Sequence, residues 1–314
     1  MIVSQNEVIM KNYRCTLIVF GLLLCGGLAV QSQINSYRPE LLVSAEWLSE
    51  NLGDDRMVIL HYGKISEFEE GHIPGASLIS SKDFMVDNQS GLRHELPDDK
   101  GLEQTLRTWG INNNSRIVIS YSDRNSLPMA TRLFFTLDYA GLGNSISLLN
   151  GGQEAWSMEN RPLSNLQTVY GQGNLDIHPN KDKVVNSEWL LSNLSNNEVL
   201  IVDARPVKQY EGTAQDHNST RRGHIEGAQN IPFNTIINED NGYLLKSPDE
   251  LQQLFNELRI NEKSTLITYC GSGIWASPIY FVARLLGYRV RFYDASFQEW
   301  GNNESFPVAV TIDK

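Results

Sequence analysis

The chain has 314 residues, 41% of them hydrophobic, which is enough apolar matter for the cores of two ordinary domains and excludes a disordered chain. Its 26 basic side chains are scattered among 37 acidic ones, and the net charge of -11 leaves no positive field for a polyanion, so no nucleic-acid partner is expected.

In chain order, Lys11 and Arg14 precede an apolar stretch from Cys15 to Val30 that ends in the polar Gln31-Ser32-Gln33, the plan of a secretory leader. A signal peptide is expected over residues 1–32, with an exported, periplasmic or otherwise extracytoplasmic protein as the product. The stretch is 16 residues long, short of the roughly 20 that a spanning helix needs. Retained instead of cut, it would be an anchor, the only expected route to a membrane. Lipidation at Cys25 is opposed by the bulky Leu24 before it. Cleavage removes Cys15 and Cys25 and leaves Cys270 as the sole cysteine. Exported proteins use cysteines in pairs, so a single one points to a reactive thiol or an intermolecular bridge.

The rest of the chain reads as two copies of one unit. LVSAEWLSENL (42–52) returns as VVNSEWLLSNL (184–194) at an offset of 142 residues, and the repeat persists at slightly larger offsets in GHIPGA (71–76) and GHIEGA (223–228) and in RIVISYS (116–122) and STLITYC (264–270). Short β-rich runs alternate with helical patterns such as MATRLFFTLDYAGL (129–142) and PIYFVARLLGY (278–288), which favours parallel sheets covered by helices. Domains are expected over 41–165 and 184–314, joined by a linker (166–183) rich in Gly, Asn and Pro that has neither period.

Cys270 ends the run LITY and opens CGSGIWAS, with helix onset near Trp275. Reactive crevices of parallel sheets lie at the carboxyl ends of strands. Gly271 and Gly273 let the backbone turn so that amides face the sulfur, and a helix start adds its positive end. Both features lower a thiol pKa, so an anionic sulfur held by the main chain of residues 271–275 is expected. The plain alternative is a core cysteine at a strand end, which has no use for a glycine-rich cradle.

The tandem GHIPGA and GHIEGA, VDAR (202–205), YDASFQEW (293–300) and CGSGIWAS closely resemble the two-domain rhodanese-type sulfurtransferases over about residues 40–310. The resemblance implies an α/β fold of two tandem rhodanese-like domains, each a mainly parallel sheet flanked by helices. It implies an inactive first domain, where Ser122 stands in the place of Cys270, and a catalytic second domain whose Cys270 carries a sulfane sulfur as a persulfide. A small donor (3-mercaptopyruvate or thiosulfate) and a thiol or cyanide acceptor are the implied partners. No metal or organic cofactor is implied, and His and Cys show no ligand spacing. A non-catalytic rhodanese-like binding module is the alternative.

Gly271, Ser272, Gly273, Ile274 and Trp275 are the implied loop contacts, and Gly271-Ser272 is similar to the loop of the mercaptopyruvate enzymes. The resemblance places His72 of GHIPGA near Ser272, whereas His224 is expected to be structural. Trp275 replaces a small residue, Gln209 replaces a usual anion-binding arginine, and Asn218 falls near a second such position. No Asp is available as a partner of His72, leaving Glu67, Glu69 or Glu70. Arg222, or its neighbour Arg221, is expected to reach the pocket in place of the missing cations, and Arg205 to touch or support the loop. A Cys-X5-Arg phosphatase is excluded, since the sixth residue after Cys270 is Ala276 and Arg284 lies too far along.

Overall fold

The computed structural model describes residues 37–311, and the leader expected over residues 1–32 lies outside them. The first half builds a parallel sheet from β1 (Leu42–Val43), β2 (Met57–Tyr62), β3 (Ala76–Ile79), β4 (Arg116–Tyr121) and β5 (Ile146–Leu149), in the spatial order β1-β5-β4-β2-β3. The second half repeats it with β6 (Val184–Val185), β7 (Val199–Asp203), β9 (Gln229–Asn230), β10 (Thr265–Tyr269) and β11 (Val290–Tyr293), in the order β6-β11-β10-β7-β9. A small antiparallel pair joins β8 (His224–Ile225) to β12 (Val308–Ala309).

Local chemistry repeats along with the strands. Ser44 and Asn186 each cap a helix by accepting the amide of a tryptophan, Trp47 at 3.1 Å and Trp189 at 2.9 Å, at the start of the duplicated AEWL and SEWL segments. Strands β4 and β10 are apolar on both faces because helices cover both sides of a parallel sheet, and Ile117, Val118 and Ile119 are all fully buried.

Two helices are apolar nearly all round, Leu127–Leu137 and Ala276–Leu285, the pattern of an element enclosed on every side. Each follows the central strand of its own sheet, and the two pack against each other, so one continuous core runs through both halves. At the crossing Phe134 meets Phe281 edge to face at 4.8 Å, and Phe135 meets Tyr280 at 5.1 Å. A buried carboxylate, Asp138, fastens the far end: Tyr280 donates to it at 2.6 Å, and Arg284 and Lys183 pair with it at 2.8 and 3.0 Å. Such a buried charge persists only with its partners in place. This packing fixes the ends of β4 and β10, and hence Ser122 and Cys270, relative to the partner domain.

Candidate active site

Cys270 follows the last residue of β10 and is 2% exposed. Its carbonyl and that of Gly271 are drawn away from the pocket by the amides of Phe297 at 2.9 Å and Gln298 at 2.8 Å. With the carbonyls turned aside, the amides of Ser272, Gly273 and Ala276 lie near enough to the sulfur to favour its anionic form. Two of these fall in the expected stretch, whereas the third belongs to Ala276, the first residue of the helix that follows the loop. Gly271, Ile274 and Trp275 line the pocket.

Both glycines are dictated by what surrounds the loop. A Cβ on Gly271 would lie 2.7 Å from the Asn218 amide and 3.0 Å from the Asp216 carboxylate. Gly273 sits at φ 81°, and its Cβ would lie 3.0 Å from the Asp294 carbonyl.

The thiol does not follow the expectation of a lowered pKa. Burial pushes it up, and the Asp203 carboxylate adds to that push, against the pull of the three amides. The physical reason is desolvation: a sulfur almost closed off from water loses more hydration as an anion than three amides restore.

The pocket beside the sulfur has a volume of about 210 Å3, and its walls are Gln209, Asp216, His217, Asn218 and the loop residues Cys270 to Ser272, Ile274 and Trp275. No arginine or lysine lines it, and the cations expected there are engaged elsewhere. Arg205 is fully buried, pairing with Asp203 at 2.6 Å and Asp216 at 3.2 Å, donating to the Gly223 carbonyl at 2.7 Å, and lying 3.9 Å over the Phe297 ring. It supports the pocket wall and does not open into it. Arg222 is exposed and donates to Gln215 at 3.1 Å, and Arg221 is spent on the carbonyls of Trp300, Gly301, Asn303 and Phe306. The expectation that either replaces the missing guanidinium is therefore corrected: both bond to local groups outside the pocket walls.

His72 is likewise elsewhere. Its ring stacks on Phe68 at 3.7 Å, and its two nitrogens face the carbonyls of Phe68 at 2.7 Å and Leu166 at 3.1 Å. His224 repeats this arrangement on Tyr210, stacked at 3.8 Å with Nδ1 2.7 Å from the Tyr210 carbonyl. Both turn histidines are structural, and a Glu67, Glu69 or Glu70 partner for His72 has no role at the sulfur.

The histidine at Ser272 is His94, with Nδ1 3.2 Å from both the hydroxyl and the carbonyl of that serine. Burial holds its pKa below the ordinary imidazole value, so at neutral pH the ring is an uncharged partner for the hydroxyl. Its neighbour Arg93 donates to Asn218 at the pocket rim, and the Arg93 amide and carbonyl bond the Gln298 side chain at 3.1 and 2.9 Å. Arg132 of the first half ties these pieces together. Fully buried, it donates to the carbonyl of Gly273 at 3.1 Å and of His94 at 2.6 Å, and pairs with Asp294.

None of these first-half residues was visible from motif matching. The signal that could have found His94 is asymmetry between the copies: the corresponding loop of the second half offers Tyr243 and Leu244, with no histidine.

Comparison with known proteins agrees with this geometry. The rhodanese-like domain pattern matches residues 44–159 and again 186–303. The sulfur carrier protein TtuD of Thermus thermophilus is 30% identical over 286 residues, covering 86% of this chain and 97% of its own. The 3-mercaptopyruvate sulfurtransferase of Escherichia coli K12 is 28% identical over 278 residues, covering 85% and 96%. The crystal structure of SseA from Escherichia coli, a 3-mercaptopyruvate sulfotransferase, superposes with a TM-score of 0.70 at 26% identity, over 81% of this chain and 97% of that one.

Proposed function

This chain belongs to the rhodanese-like family, with two copies of the domain in one polypeptide, and on that premise we propose that it is a sulfurtransferase that moves a sulfane sulfur through Cys270. The observation that carries this reading is the convergence of three main-chain amides on one cysteine at the floor of a small pocket. The thiolate attacks the outer sulfur of the donor and forms an S–S bond. With 3-mercaptopyruvate the donor's C–S bond breaks, its electron pair passes to carbon as an enolate, and that carbon takes a proton. With thiosulfate the S–S bond breaks and sulfite leaves with the pair. A thiol or cyanide then attacks the outer sulfur of the persulfide and frees Cys270, which is ping-pong covalent catalysis.

Desolvation leaves only a minor fraction of thiolate at neutral pH, and cysteine tolerates that better than any other nucleophile. A persulfide is intrinsically more acidic than a thiol, so the same three amides are matched to the charged intermediate and hold it once it has formed. Ser272, held by His94, is placed to bond a keto-acid donor, whereas a pocket walled by Asp216 and lined by no Arg or Lys is a poor host for a dianion. The geometry therefore favours the mercaptopyruvate type of donor over thiosulfate.

The test is mass spectrometry of the purified protein after exposure to each donor. One extra sulfur atom on Cys270, removable by cyanide, is expected; no adduct with either donor would return the chain to a binding role. We further propose that residues 1–32 direct export to an extracytoplasmic compartment and are cut off, which amino-terminal sequencing of the mature protein checks.

A further inference from the structure

A second, larger recess lies on the other side of Trp275. Its volume is about 550 Å3, and Trp275 lines both it and the 210 Å3 pocket at the sulfur. The smaller pocket is below the ~300–1,000 Å3 of ordinary small-molecule sites and has room for the reacting end of a molecule, whereas the larger one falls within that range. We propose that this recess is the acceptor subsite, and that it takes a low-molecular-weight peptidic thiol with a free carboxylate. The proposal rests on Cys270 being the sulfur carrier.

The recess is built by both halves. Leu127 and Pro128 from the first domain form one apolar side, and the Pro128 carbonyl accepts from Ser277 in the first turn of the catalytic helix at 2.9 Å, which ties that side to the cysteine loop. Phe233 of the second domain stacks beneath the indole of Trp275 at 5.2 Å and 20°. This indole is 38% exposed, unusual for a large aromatic beside a buried thiol. Flat aromatic faces of this kind pack against planar amide groups, and the side chains of Asn234 and Asn238 on the rim supply amide donors and acceptors for a peptide backbone.

Charge selects the rest of the ligand. Arg124 stands at the rim, and among the described residues its guanidinium has neither an ion pair nor a hydrogen bond. The other charged lining group, Glu239, is 91% exposed and turned toward Lys246 at 3.9 Å. A carboxylate on the acceptor would give the guanidinium its missing partner, with the thiol of the same molecule reaching past Trp275 to the persulfide. The transfer balances without an oxidant: the acceptor thiolate takes the outer sulfur, the S–S bond to Cys270 breaks, and Cys270 keeps the electron pair as a thiolate.

Glutathione and its dimethyl ester are the probes, with cyanide as the reference acceptor and kcat/KM measured for each. The native protein is expected to prefer the free acid over the ester by about two- to fivefold, the upper range of one exposed ion pair, and Arg124→Gln to abolish that preference. Equal rates for acid and ester in the native protein, or a preference that survives Arg124→Gln, would overturn the proposal, as would a reduced small dithiol protein that accepts sulfur faster than saturating glutathione. Absence of turnover with cyanide would instead sink the sulfurtransferase reading, so the two failures are told apart.

Discussion

The loops after β4 and β10 occupy equivalent places in two copies of one fold, yet only one of them leaves its amides free. After Ser122 comes Asp123, whose carboxylate accepts from the amides of Asn125 and Ser126 at 3.0 Å each and from the Ser126 hydroxyl at 3.1 Å. After Cys270 comes Gly271, which has no side chain, and the amides that follow turn to the sulfur. The difference teaches that a turn of this shape offers its amides to an anion, and that the residue after the strand decides which one. The first copy satisfies it with a built-in carboxylate, and the second leaves the position to the Cys270 sulfur. Ser122 itself faces His61 at 3.3 Å, an imidazole whose pKa burial pushes down to about 4, a neutral partner that completes a structural contact.

The comparison breaks most sharply at the nucleophile. Cys270→Ser should cut turnover by about four orders of magnitude, roughly 5.5 kcal/mol of barrier, while the thermal midpoint stays close to the native value. Substantial residual activity would remove Cys270 from its role. Gly271→Asp, which copies the loop after Ser122, should abolish the sulfur adduct expected by mass spectrometry, because its carboxylate competes for the amides and its Cβ meets Asn218 at 2.7 Å. An adduct formed at the native rate would show that the amides are unnecessary. Conversely, Ser122→Cys with Asp123 left in place should take no sulfur from either donor.

Next in size is Arg132→Met, which leaves Asp294 buried without its cation. A loss of about 3–5 kcal/mol in chemical denaturation is expected, and a loss below about 1 kcal/mol would show that Asp294 finds another partner.

A titration sharpens the comparison further. Because burial raises the thiol pKa and the thiolate is the reactive form, the single-turnover rate of sulfur uptake should climb with pH through and beyond the ordinary thiol value of about 8.5. A plateau below neutrality would mean that the amides outweigh desolvation. The smallest effect is expected from Gln209→Arg: a guanidinium in a pocket that has none should lower KM for thiosulfate a few-fold, and an unchanged KM would show that anionic charge is not what the pocket weighs.

Much of this was legible in the amino-acid sequence. The duplication, the parallel sheets, the cysteine at a strand end and the need for Gly271 and Gly273 follow from local patterns that the backbone obeys one segment at a time. What escaped depends on how the halves meet. His94 sits in a loop without periodicity, and its place beside Ser272 exists only because the two apolar helices dock. Arg132 reads as an ordinary helix residue in MATRLFF until that docking buries it. The direction of the Cys270 shift depends on how much water the assembled pocket expels, a quantity set by both halves. His72 misled because its motif is genuine, but the job it does is that of His224, in a half that has no thiol.

Arg132 also decides what either copy of the duplicated unit could do alone. One side chain of the copy that lacks a thiol pins both the cysteine loop and the histidine loop, so a truncated product running from residue 184 would keep Cys270 and lose the brace behind it. The first copy, with Ser122 where the second has its thiol, is thus the buttress on which that thiol's loop leans.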